Sequence, residues 1–373
     1  MKSNLFKSFF LVILFSQITI AQVQISGQLD IVARNTDAKD YSNKTFAGFS
    51  NYDLLRARLF LDAQPSENVT VFTQIFISER RFVLYAAYLR LSLFDQDLNV
   101  HLGLIPNTVG IWGPRTYSDK NPFIAMPLVH NYHTVYDFRT ISNDIAAFSA
   151  SRGTGYNFGG LPLLYDFCWN AGIELFGSYG IVDWSFAANS GSETHPSQGH
   201  DNKNPQFTGR LVFLPIPEFN FSFSGFWGPY LSKDDIENLP GITKSQNEYI
   251  NKGAGIGLIL SKGYFEIFSE SFWTAWDHPY YKELSAWSSY VDFKYKFATQ
   301  WYAAIRFEVM RFSDLEFQNF NDAWDYPLNR YEFVIGYHFD RDVLIKLDTQ
   351  LTNNLGNDDF DDKIFALQVS TSF

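Results

Sequence analysis

Trp301-Tyr-Ala-Ala-Ile-Arg-Phe-Glu-Val-Met310 puts Trp301, Ala303, Ile305, Phe307 and Val309 on one face of an extended chain, with Tyr302, Arg306 and Glu308 on the other. Successive residues of a strand point to opposite faces, so this segment has one apolar side and one polar side. The same period runs from Arg330 to Phe339, where Tyr331, Phe333, Ile335, Tyr337 and Phe339 oppose Arg330, Glu332 and His338. It returns from Val343 to Leu351, where Val343, Ile345, Leu347 and Leu351 oppose Lys346, Asp348 and Gln350. A soluble sheet alternates too. These segments, however, are about ten residues long and carry aromatics at their ends, as a bilayer-spanning strand of ~9–11 residues with interfacial girdles requires.

Outward from these strands, the connections alternate in length. Tight links fall at Gln64-Pro-Ser-Glu-Asn68, Asp95-Gln-Asp97, Gly180-Ile181, Pro215-Ile-Pro-Glu218, Ser261-Lys-Gly263, Ala298-Thr-Gln300 and Asp340-Arg-Asp342, rich in the residues that turns demand. Longer polar stretches lie between them: Ser190 to Gln206, Gly228 to Lys252, Ser313 to Leu328 and Asn353 to Asp362. Short periplasmic turns with long outer loops predict an all-β, transmembrane antiparallel barrel of about sixteen strands, as one domain over 22–373.

Composition agrees. The 373 residues are 18% aromatic and 46% hydrophobic, yet no segment after the N-terminus is a continuous apolar run long enough for a transmembrane helix. Lys2 and Lys7 precede an apolar run from Phe9 to Ile20, and Thr19-Ile20-Ala21 places small residues where a signal peptidase reads. That layout predicts a cleaved signal peptide over 1–21, a mature chain from Gln22 and export to the outer membrane of a Gram-negative bacterium. Losing Lys2 and Lys7 takes the formal charge from -11 to -13, and an acidic chain argues against nucleic-acid binding. The single cysteine, Cys168, excludes a disulfide-rich scaffold and a cysteine-clustered zinc site.

The chain ends on a strand, Ile364-Phe-Ala-Leu-Gln-Val-Ser-Thr-Ser-Phe373, with Phe365, Leu367, Val369, Thr371 and Phe373 on one face. This resembles the terminal strand by which barrel assembly machinery recognises bacterial outer-membrane proteins. In strand count, turn spacing and terminal Phe the mature chain resembles a sixteen-stranded porin. More loosely it is similar to the phosphate-selective porin O and P group and its Bacteroidetes-type relatives, through Leu102-Gly-Leu-Ile-Pro106 leading into Arg115-Thr-Tyr-Ser-Asp-Lys-Asn-Pro122. It departs from that group in lacking a dense lysine or arginine ladder there. The resemblance implies a channel for passive diffusion of small solutes or ions, in contact with outer-membrane lipid and lipopolysaccharide, and a homotrimer.

A pore needs charged side chains in its lumen to set which ions pass. Alternation assigns Arg56, Arg58, Arg90, Arg210, Glu266, Glu270, Asp292, Arg306, Glu308, Glu332 and Asp348 to the inner face, along with Glu174, Lys294, Lys296 and Lys346. The alternative for any one of them is that it pairs with another and braces the wall. The stretch from Pro106 to Asn170 exceeds an ordinary loop. Two placements are open for it: a constriction inside the barrel presenting Arg115, Lys120 and Arg139, or an extracellular loop. No cofactor or metal is expected: His130-Asn-Tyr-His133 is a weak metal pair, and neither a Gly-x-Ser-x-Gly elbow nor a His-Glu-x-x-His site occurs. A barrel enzyme of phospholipase or protease type, or a substrate-specific uptake barrel, is the alternative to a porin.

Overall fold

The computed structural model describes residues 22–36, 43, 50–94, 97–154, 159–165, 170–195 and 204–373. The expected signal peptide over 1–21 and Cys168 lie outside them. The strands are β1 (Gln22–Thr36), β2 (Leu55–Ser66), β3 (Val69–Ser78), β4 (Phe82–Leu93), β5 (Leu98–Leu104), β6 (Ala171–Tyr179), β7 (Val182–Asn189), β8 (Gln206–Ile216) and β9 (Phe219–Pro229). After them come β10 (Ile250–Lys262), β11 (Phe265–Trp276), β12 (Leu284–Tyr295), β13 (Trp301–Phe312), β14 (Asp314–Phe317), β15 (Phe320–Ala323), β16 (Leu328–Asp340), β17 (Val343–Asn354) and β18 (Asp362–Ser372). All but β14 and β15 form one closed antiparallel barrel of sixteen strands; those two make a small hairpin in the β13–β16 connection. Each barrel strand pairs with the next barrel strand along the chain, β13 with β16 across the small hairpin, and the closed ladder leaves no free edge.

The barrel closes where β1 meets β18, in register from Gln28 opposite Ser372 to Thr36 opposite Ile364. Phe373 extends the ladder by one step, donating from its N–H to the Gly27 carbonyl (3.0 Å) and accepting from the Gly27 N–H (2.9 Å). Its ring covers Gly27 so closely that a β-carbon there would meet it at 2.4 Å. Terminal phenylalanine and glycine therefore fit as a pair.

All seven tight links predicted from the sequence lie at one end of the barrel. Pro65 and Pro215 sit just before two of them, where the β2–β3 and β8–β9 registers slip and no ladder donor is needed. The other end carries the long connections, with one exception: β3 and β4 are joined by Glu79, Arg80 and Arg81 alone. Outward-facing aromatics form two belts. Tyr179, Tyr264, Tyr295, Trp301 and Phe339 lie at the turn end, and Phe207, Trp227, Trp273 and Trp287 at the loop end, with residues such as Ile335 and Leu347 exposed between. On β13 the period-two pattern holds throughout: Trp301 and Phe307 are exposed, while Tyr302, Ala304, Arg306 and Glu308 are buried.

Candidate functional site

The residues between β5 and β6 turn into the barrel. Of the two placements open from sequence, the interior one is found. The segment passes through a 3-10 turn at Gly113–Thr116, a helix α1 (Leu128–Asn131), a 3-10 turn at Phe138–Thr140 and a helix α2 (Ile145–Ala150). Residues 121–137 are buried without interruption. β10 makes room for it with inward glycines: a β-carbon on Gly257 would meet Ile111 of the segment at 2.7 Å.

One wall, β11 to β17, is laced to this segment by the charges that alternation sends inward. Arg115 reaches both Glu266 and Asp292 (3.0 Å to the latter), with its guanidinium over the Phe268 ring at 3.8 Å. Arg306 bonds Asp292 through two nitrogens (2.6 and 2.9 Å), Glu332 (3.0 Å) and the Ala125 carbonyl (3.0 Å). Arg330 takes Glu308 (2.6 Å) and the Met126 carbonyl. The carboxylates use their remaining lone pairs on segment amides: Ile111 N–H donates to Glu270, Ile124 N–H to Asp348, Ala125 N–H to Glu332 and Leu128 N–H to Glu308, at 2.6 to 3.0 Å. Lys346 donates to the Ser118 and Phe123 carbonyls. Arg306, Arg330, Glu332 and Lys346 are 0% exposed, so on this wall the inward charges meet protein rather than water. A buried charge is costly unless it is paired or hydrogen-bonded: Arg306, Arg330 and Glu332 are both, and Lys346 is held by the two carbonyls.

The opposite wall is different. Arg90 of β4 donates only to Asn99 Oδ1 (3.1 and 3.3 Å), and Arg210 of β8 to the Gly110 carbonyl (2.9 Å). Arg58 of β2 donates to the Thr116 carbonyl (2.8 Å) and lies over the Tyr117 ring. Between this wall and the segment is a cavity of about 640 Å³, bordered by Arg90, His101, Glu174, Trp184 and Arg210 from the wall and Tyr117 from the segment. His101 donates to Glu174 at 2.8 Å. Next to Arg58, Arg56 is ion-paired with Asp30 (3.0 Å). Lys120 and Arg139 project more: Lys120 pairs with the adjacent Asp119, and Arg139 with Asp137.

Toward the loop end the interior is apolar. Trp112, Tyr132, Tyr136, Trp276, Trp324 and their neighbours form one core joining the segment to the long loops. Asp325 is set within it, accepting from the Val135 and Gly153 amides (both 2.8 Å) and the Tyr132 hydroxyl, and burial raises its carboxyl to about 6. Burial lowers His133 to about 4 and His278 to about 3, so both rings are neutral at pH 7. Glu193, in the β7–β8 connection, is raised to about 8 by burial; Asn189 donates to it, and its other oxygen has no partner among the described residues. His130 and His133 do not converge: His130 faces Glu270, while His133 donates to the Gly160 carbonyl.

Sequence reasoning left Arg330 and Asp30 out of the set, although both have the parity of their inward neighbours. It also passed over the inward rings Phe72, Tyr88 and Phe176, because an aromatic in a barrel strand reads first as lipid-facing.

With this geometry in hand, solved structures give the comparison. OmpF of Salmonella typhi, in complex with daunomycin, superposes with a TM-score of 0.58 at 11% identity, covering 94% of this chain and 97% of that one. An anion-selective porin from Comamonas acidovorans gives 0.57 at 10% identity, covering 95% and 100%. The outer membrane channel DcaP of Acinetobacter baumannii gives 0.57 at 13%, covering 95% and 97%. In fold, the chain is like the sixteen-stranded porins. No family model and no curated protein matches it by sequence.

Proposed function

We propose that this chain is an outer-membrane porin, exported by a cleaved signal peptide, that passes small hydrophilic solutes or ions along the β3–β8 side of its lumen. One observation carries the reading: the inserted segment is fastened to the β11–β17 wall and leaves a polar cavity of about 640 Å³ against Arg90 and Arg210. Two aromatic belts with an aliphatic band between them support a bilayer position, and Phe373 at the seam supports recognition by assembly machinery. A homotrimer is the assembly we take from this likeness: OmpT, an outer membrane protein of Vibrio cholerae, is described in a trimer form. The likeness to the phosphate-selective O and P group draws support from the inward course of residues 106–137. Arg90 and Arg210, which border the cavity, act on the passing ion. Arg115, Arg306 and the acids they hold act as braces that set the width of the lane.

A second reading, a substrate-specific uptake barrel, is favoured by the apolar core at the loop end, which narrows access. Planar-bilayer reconstitution with reversal potentials in a salt gradient tests the first. The expected result is a small, stable conductance favouring anions. A folded, heat-modifiable protein that stays silent would refute the channel.

A further inference from the structure

The inner face of the arginine-bearing wall carries something that a plain water-filled lane does not require. Five rings on consecutive strands adjoin one another: Phe60 of β2, Phe72 of β3, Tyr88 of β4, His101 of β5 and Phe176 of β6. Their centroids are separated by 6.4, 5.0, 4.5 and 4.4 Å in that order. Phe72, Tyr88, His101 and Phe176 border the 640 Å³ cavity. Apart from His101 the rings are only half-buried, so they present an apolar strip to the lumen. Contiguous exposed apolar surface usually marks a place where something binds.

Guanidinium groups flank the strip. Arg90 lies over the Phe176 ring at 5.3 Å, fixed there by Asn99, and Arg58 lies over Tyr85 and Tyr117 at 5.7 and 5.1 Å. Arg210 spends one donor on a backbone carbonyl. A guanidinium has five donors, and among the described residues none of these three is ion-paired with a carboxylate. Of the nearby acids, Glu174 is engaged by His101 and Asp183 by the Ser178 hydroxyl, while Asp62, opposite Phe72, lies at the β2 end of the strip, away from the Phe176 ring that Arg90 covers.

We propose that this strip is a binding site for organic anions with a flat unsaturated body, aryl carboxylates being the simplest case. The ring lies along Tyr88, His101 and Phe176 while the carboxylate meets Arg90 or Arg210. The proposal deepens the channel reading by naming the solute class for the same lane. Stacking and a charge-assisted bond act at the two ends of one ligand, and neither end suffices alone. A cavity of about 640 Å³ holds a bicyclic acid with water to spare. A neutral sugar would use the rings and leave the guanidiniums without a counter-charge; inorganic phosphate would do the reverse.

The test is titration of the full-length mature protein, folded in detergent micelles, with 2-naphthoate, followed by calorimetry and by the fluorescence of Trp184, which borders the cavity. Heat-modifiable mobility verifies folding for every sample. We expect 2-naphthoate to bind at least about tenfold more tightly than acetate and than neutral 2-naphthalenemethanol, the loss of one charged contact being worth roughly that factor. Arg90→Gln should weaken 2-naphthoate about tenfold and Phe176→Leu roughly three- to tenfold. Equal binding of acetate and 2-naphthoate would overturn the role of the rings. Equal binding of the alcohol would overturn that of the arginines, and no binding by folded wild-type protein would overturn the site altogether. Binding by a protein that conducts nothing in bilayers would uphold the site while sinking the channel, so the two readings fail separately.

Discussion

The two walls of the lumen obey the same rule of alternation and come to opposite ends. Along β11 to β17 each inward arginine is closed by carboxylates and by carbonyls of the inserted segment, and the side chains are dry. Along β2 to β8, Arg90 and Arg210 bond to neutral oxygens and border a cavity, while Arg58 is buried against the Thr116 carbonyl. Inward charge is therefore not one property. Where a second layer of protein closes over it, charge becomes an adhesive whose energy depends on complete pairing. Where that layer leaves a gap, charge remains available to solute, and the low-dielectric wall around it strengthens its field. Arg115 of the inserted segment has itself crossed to the late-strand acids and pairs with Glu266 and Asp292, so part of the acidic charge on that side is balanced.

Four experiments press on this contrast. The largest effect belongs to the laced wall. Arg306→Ala leaves Asp292 and Glu332 buried without their partner and frees the Ala125 carbonyl, so it should cost about 3–5 kcal/mol. A lowered urea midpoint for loss of the heat-modifiable band measures it. An unchanged midpoint would mean the lacing does not hold the segment.

Next, Gly257→Leu should push Ile111 off β10, since even a β-carbon meets it at 2.7 Å. Overpacking of this kind costs roughly 1–3 kcal/mol, and the loosened segment should raise single-channel conductance. A conductance equal to wild type would show that the segment does not set the width.

On the open wall the sign of effect changes from stability to selectivity. Arg90→Gln keeps a donor for Asn99 and should alter stability by no more than about 1 kcal/mol, while moving the reversal potential toward cations. Arg56→Ala, whose charge Asp30 already balances, should move the potential less. The reverse ranking would place the conducting path elsewhere.

The smallest effect concerns pH at the loop end. The carboxyl of Glu193 is raised to about 8 from an ordinary 4.5, so between those values the folded protein holds a proton that the unfolded chain has released. Its contribution is fully present below pH 4.5 and is lost as pH rises through 8. The Glu193 carbonyl accepts from Tyr165 N–H (2.7 Å), so amide exchange of 161–165 should quicken from pH 6.5 to 9 beyond the intrinsic rate. Glu193→Gln should remove that excess; if it persists, another group is responsible.

What the sequence by itself determined is everything with a local period: strands with one apolar face, seven tight turns, an even strand count that brings both termini to one end, and a last strand able to close on the first. The signal is local because residues two apart share a face whatever the rest of the chain does. The structure alone decided what the inward face would meet. Arg306 and Ala125 are 181 residues apart and Ile124 and Asp348 are 224 apart, and no spacing within either stretch announces the other. The parity of Arg90 and Arg306 is the same, yet one borders a cavity and the other is sealed in protein. That difference arises because the inserted segment packs closely on one wall and touches the other at points such as Thr116 and Gly110.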